Sequence, residues 1–129
     1  MTATPEAVAL AQAAAAAALD KLADDVRAFD VSEHLAITDI FVLASAANDP
    51  QVKAIVDEVE RRLLAIGAKA ARREGDRGAH WVLLDYIDVV VHVMHTEDRE
   101  YYSLERLWKD CPEVPLPDRP HAADPASAR

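Results

Sequence analysis

His80–Met94 reads HWVLLDYIDVVVHVM, and this stretch decides the fold. His80–Tyr86 and Asp88–Met94 are two strand-like runs, close enough together to form a hairpin around Ile87. Along the first run, Val82, Leu84 and Tyr86 face one way, and Trp81, Leu83 and Asp85 face the other. One set is expected to meet the core. The other then presents a large aromatic, a leucine and a carboxylate together. That combination suits a protein-binding hot spot, with apolar anchors and a charge to fix register. The competing expectation is that a helix covers Trp81 and that Asp85 merely ends the strand.

Outward from the hairpin, Ile37–Ser45 reads ITDIFVLAS, rich in β-branched and aromatic residues and nearly continuously apolar. Such a run predicts a strand buried on both faces, inside the sheet. Val26–Val31 alternates, with Phe29 and Val31 on one side and Asp30 on the other, and predicts a short strand. Ala68–Glu74 predicts another, with Arg72 and Arg73 near its end, and Gly75 and Gly78 bracket a polar loop. Asn48-Asp49-Pro50 predicts a helix start, with Asp49 as N-cap and Pro50 in the first helical position. Val52, Ile55, Val56, Val59, Leu63 and Ile66 then line one face, and Gly67 closes a helix over Pro50–Ile66.

An alanine-rich helix is predicted over Pro5–Asp24, with Val8, Ala11, Ala15, Leu19, Leu22 and Val26 on one face. Thr96 can cap a last helix, in which Tyr101, Leu104, Leu107 and Trp108 share a face. The order is helix, two strands, helix, three strands, helix. It predicts a single α/β (α+β) domain over residues 1–111, with a mixed sheet of about five strands flanked by helices. Five of the seven prolines fall within residues 112–129, which reads as a Pro-rich, disordered tail.

The 129 residues suffice for one domain with its own core. The net charge is -9 and the pI near 4.9, so the domain feels net repulsion from nucleic acid. It should prefer a basic protein surface, although surplus carboxylates also serve solubility. Cys111 is the lone cysteine, which excludes an intramolecular disulfide and a cysteine-based zinc site. Ala7–Leu19 resembles a signal h-region, but Glu6 precedes it and no Lys or Arg does. It is also too short and alanine-rich to span a bilayer, so a cytoplasmic protein with no membrane contact is expected.

With three glycines in all, a phosphate-cradling loop is hard to build, and no dinucleotide fingerprint or nucleophile elbow occurs. His92 and His95, with Asp85 and Asp88 nearby, invite a metal reading, but on a strand the two histidines point to opposite faces. His34, His80 and His121 have no ligand spacing around them. Neither metal nor cofactor is expected. Asp39 and Asp88 could hold two magnesium ions for nucleotidyl transfer, since the element order is compatible with that fold. The Gly-Ser turn that would hold the triphosphate is missing, so no enzyme is expected.

The run TDIFVLASAANDPQVKAIVDEVERRL, followed by HWVLLDYIDVVVHVMHTEDREYYSLERLW, resembles the ribosomal silencing factor (Iojap-like) family. The family motifs map to Thr38–Val42, Val52–Ile55, Trp81–His92 and Arg99–Trp108, and the collinear match covers about Leu19–Asp110. The resemblance implies a mixed sheet of nucleotidyltransferase-like shape without the catalysis. It implies docking on the large (50S) ribosomal subunit through its fourteenth ribosomal protein. Occupancy there sterically blocks joining of the small subunit, so translation falls when nutrients are scarce. The family's docking surface carries over to Trp81, Leu83, Asp85, Tyr86 and Asp88, with Glu97 and Asp98 adding charge. Direct nucleic-acid contact is not expected, and exposed apolar strands make a homodimer of the free protein plausible. Two alternatives stay open: a large-subunit assembly factor using the same surface, and a nucleotidyltransferase-like enzyme. Family members often carry glycine at the hairpin turn, where this chain has Ile87; a β-branched residue disfavours positive φ, so the turn must differ in detail.

Overall fold

The computed structural model describes residues 3–75, 81–97 and 110–116. Their elements run α1 (Pro5–Asp20), β1 (Asp25–Asp30), β2 (Ile40–Ala46), α2 (Asp49–Ala65), β3 (Arg72–Glu74), β4 (Trp81–Asp85) and β5 (Val89–His95). The five strands form one mixed sheet in the order β1-β2-β5-β4-β3. Only β2 and β5 pair in parallel; every other neighbouring pair is antiparallel. The single-domain α+β expectation with a five-stranded mixed sheet holds. The predicted last helix over Tyr101–Trp108 lies outside the described residues, as do Gly78, His80 and His121.

Both described helices pack on the same face of the sheet. Val26, Ala28, Ile40, Val42, Val82, Leu84, Val89, Val91 and Val93 turn toward them and join Ala11, Ala14, Ala18, Ile55, Val59 and Leu63 in the main core. The small methyl groups of α1 let its backbone approach the sheet closely, while the branched residues of α2 fill the space beside it. Between the helices, Glu58 accepts from Arg61 Nη2 at 2.6 Å and Arg62 Nε at 2.7 Å, and Arg62 also reaches Asp20 of α1. These guanidinium bonds hold the Glu58 carboxyl well below its usual range, at about 2.

Several boundaries move, each for a local reason. α1 ends at Asp20 instead of Asp24. The Ala23 N–H turns back to the Ala18 carbonyl across a left-handed Leu22 (φ +63°), and Asp24 already bonds Ser45 O of β2. Leu22 is therefore 76% exposed and off the predicted apolar face. Asn48, not Asp49, caps α2: its Oδ1 accepts from Gln51 N at 2.9 Å, and Asp49 and Pro50 are the first two helical residues. Gly67 closes this helix at φ +90°, as expected of a left-handed cap.

β3 is three residues long, not seven, because Arg72 pairs with Asp85, the last residue of β4. Ala71 N–H reaches Asp85 O, and beyond that point β4 turns into the hairpin, leaving residues 68–70 no strand to join. β2 begins at Ile40; Ile37 lies outside it and is 80% exposed.

Residues 112–116 differ from the expected tail. Glu113 bridges Phe29 in antiparallel sense, Asp30 N–H donates to Pro112 O, and Val114 N–H donates to Ala28 O, both at 2.8 Å. Val114 is buried in the main core. This stretch therefore covers the outer edge of β1, which would otherwise offer unpaired backbone groups. Residues 117–129 lie outside the description.

Two outcomes are expected in urea titrations with an unchanged m-value. Asn48→Ala should cost about 1 kcal/mol of unfolding free energy, the usual worth of an N-cap. Leu84→Ala, at a fully buried central site, should cost about 3 kcal/mol.

Candidate functional site

The face opposite the helices is set by register. Trp81 lies opposite Met94, Leu83 opposite His92, and Asp85 opposite Val90. Across the parallel pair, Phe41 neighbours Val90 and Leu43 neighbours His92. On β1, Phe29 neighbours Phe41. Phe29, Val31, Leu43, Met94 and Cys111 form a second small core here, with Phe41 and Trp81 half-buried at its border. Burial and the nearby carboxylates of Asp110, Asp30 and Glu33 push the Cys111 thiol up, so it behaves as an inert apolar group.

The β4 alternation read from the sequence is correct: Val82, Leu84 and Tyr86 are buried toward the helices, while Trp81, Leu83 and Asp85 are half-buried on the other side. Trp81, Leu83 and Asp85 therefore form one stripe. Asp88 is exposed in the turn just past its Asp85 end, and Glu97 is exposed past the other end, where β5 leaves the sheet beside Trp81. Tyr86 does not join this stripe. Its ring lies on the helix side, where desolvation and the charge of Glu60 push its hydroxyl up to about 12. Asp98 falls outside the described residues.

Asp85 does more than offer charge. One carboxylate oxygen accepts Ile87 N–H at 2.8 Å and the other accepts from Arg72 Nη2 at 3.2 Å. It thus ends the strand by building the turn, as one of the two expectations had it, and lies on the same side of β4 as Trp81 and Leu83.

The residue that sequence reasoning undervalued is His92. Trp81 Nε1–H donates to His92 Nδ1 at 3.1 Å. The imidazole stands edge-on to both Trp81 (centroids 5.8 Å apart, 62°) and Phe41 (5.2 Å, 69°). Accepting at Nδ1 requires the neutral ring with its proton on Nε2. Burial favours that form and lowers the His92 pKa to about 4. A neutral acceptor beneath the indole edge restrains the Trp81 side chain before any partner arrives. The signal was available in principle: a tight hairpin puts Trp81 and His92 on one face, diagonally across the two strands.

The remaining candidates fall apart as a site. His95 points to the other face and contacts Asp49 Oδ1 at 2.5 Å, tying β5 to the start of α2. Asp39 N–H donates to Asp88 O, but the Asp39 carboxylate accepts Thr4 N–H at 3.0 Å and holds the entry to α1. Among the described residues no group of three His, Cys, Asp or Glu side chains could hold a metal, and no helix is long and apolar enough to cross a membrane.

These features define a class: a small α+β domain with its two described helices on one face of a mixed sheet and an aromatic, acidic stripe on the other. The model of the family described as "Ribosomal silencing factor during starvation" matches residues 4–129. The ribosomal silencing factor of Bacillus subtilis is 42% identical over 99 residues, which is 77% of this chain and 84% of that protein. A crystal structure from Bacillus halodurans shares 39% identity, covers 81% of this chain and 95% of its own, and superposes with a TM-score of 0.70. One from Chromobacterium violaceum shares 31%, covers 92% and 96%, and gives 0.75. The chain belongs to the ribosomal silencing factor family.

His92 makes stability depend on pH. Its folded pKa lies below the unfolded value, so the unfolded chain binds the extra proton first and acid favours unfolding. Stability should be full above about pH 6.5 and fall as pH drops toward about 4. Urea midpoints at several pH values should show this slope, and His92→Gln, which keeps an acceptor but does not titrate, should flatten it.

Proposed function

We propose that this chain docks on the large ribosomal subunit through the fourteenth ribosomal protein and there sterically blocks joining of the small subunit, repressing translation. Its site of action is the cytoplasm. The observation that carries the reading is the Trp81–Leu83–Asp85 stripe, held on the sheet face away from α1 and α2 by a chain of silencing-factor sequence. Trp is among the side chains that dominate interface energy, because it buries much area for few frozen torsions, and Leu83 adds apolar surface beside it. The net charge of -9 favours a basic protein surface over rRNA phosphate and speeds the encounter. Asp85, Asp88 and Glu97 supply carboxylates along and beyond the stripe. Tyr86 supports β4 from the helix side, and Asp98 continues the acidic run after Glu97.

Steric exclusion requires only a rigid body in the wrong place. Nothing in this mechanism calls on a nucleophile, a metal or a cofactor, and the protein acts without catalysis. His92 contributes by limiting the rotamers that Trp81 must give up on docking, which lowers the entropic cost of binding.

The test is co-sedimentation of the purified chain with isolated large and small subunits, followed by a joining assay on the same samples. Binding to the large subunit alone with joining suppressed is expected; binding to neither sinks the reading. Trp81→Ala should weaken large-subunit binding by about 30-fold or more, the loss of about 2 kcal/mol that marks a hot spot. Circular dichroism must show that the variant is folded.

A further inference from the structure

Contrary to the expectation that isoleucine would change the turn, Ile87 at the tip of the β4–β5 hairpin keeps a positive φ of +74°, held there by the Asp85 bond to its N–H, and is 57% exposed. A β-branched residue suffers most in this left-handed region, where glycine or asparagine is at ease. The backbone shape itself is explained: Asp85 Oδ1 accepts Ile87 N–H, and Asp88 N–H closes onto Tyr86 O at 2.9 Å. The aliphatic side chain is not, since Ile87 belongs to neither core cluster. Leu22, the other left-handed aliphatic, is not β-branched and ends α1 at the opposite end of the sheet.

The surroundings of Ile87 give it a role. The Asp88 carbonyl accepts both Asp39 N–H and Ile40 N–H, which brings the β1–β2 loop beside the hairpin tip. That loop carries Ile37, 80% exposed, and Leu35, 38% exposed. Three large exposed aliphatic side chains therefore lie at the same end of the sheet, on the two segments that the Asp39 and Ile40 bonds to Asp88 hold together. Glu33 and Asp88 are exposed around them, as are His34 of the same loop and Lys69 ahead of β3, while Arg72 of β3 is engaged by Asp85 and Glu74. The patch is apolar with an acidic rim, so its complement is an apolar depression on a basic protein surface.

We propose that the sheet tip formed by Ile87, Ile37 and Leu35 is a second contact with the large subunit's protein surface, reached by a partner that continues past Asp85 along β4. This rests on the docking reading above and extends it by about 20 Å from Trp81, the length of six strand residues. It also accounts for an isoleucine where a glycine would ease the backbone: the residue is kept for the partner, not for the fold.

The test compares Ile87→Gly and Ile37→Ser with the wild-type full chain and with Trp81→Ala. Each is measured for binding to isolated large subunits, for thermal stability and for molar mass by light scattering. Ile87→Gly should be at least as stable as wild type and yet bind about tenfold more weakly; Ile37→Ser should also bind more weakly while unfolding at the same temperature. If wild type binds, Trp81→Ala loses binding and both tip variants bind like wild type, the docking face stands and the tip proposal is overturned. If wild type is a dimer that Ile87→Gly converts to monomer without weakening subunit binding, the tip joins two copies and the proposal is likewise overturned. If wild type does not bind large subunits, both readings fall.

Discussion

Ile40–Ala46 and Val89–His95 lie side by side in parallel at the centre of the sheet, and nearly every residue of both is buried. A strand covered on both faces has no water to satisfy its backbone, so each N–H and C=O must find a partner strand. That requirement organises the rest. A parallel pair needs a crossover, and α2 with β3 and β4 supplies it. The flanking strands β1 and β4 then complete the pairing from either side, β3 adds to β4, and residues 112–116 cover the β1 edge.

Placing both described helices on one face has a chemical consequence. The helix side is mainly aliphatic, with the Tyr86 ring packed into it, and serves stability. The opposite side mixes Phe29, Phe41, Trp81 and His92 with Asp85, a combination with more recognition chemistry than packing economy. Neutral His92 is the hinge of that mixture. It is buried enough to stay uncharged and close enough to hold the Trp81 indole, so the same desolvation that weakens the fold in acid restrains the aromatic side chain.

Much of this was legible before any coordinates. The alternation of Trp81–Tyr86 separated the two sides of β4, because a strand repeats every two residues whatever it packs against. The doubly buried β2 and the α2 face followed from composition and the 3.6-residue period. Element ends were less legible. Asn48 and Asp49 are both good caps, and only the chain direction leaving β2 makes Asn48 the one whose oxygen meets Gln51 N–H. Tyr86 was assigned to the docking surface by its motif, yet strand parity already placed it with Val82 and Leu84, and the structure follows parity.

By itself, the sequence determined which residues alternate, which run is apolar on both sides, where α2 stops at Gly67, and which family the chain resembles, since each of these depends on local chemistry or linear order. Only the tertiary structure decided the strand order and thus which groups become neighbours. The Trp81–His92 hydrogen bond, the Asp39 carboxylate drawn to Thr4, the stretch at 112–116 laid along β1, and the Asp39 and Ile40 amides bonded to Asp88 O at the hairpin all join residues from different elements. Contacts of that kind are set by how the sheet closes over its core, and a linear pattern carries no term for them.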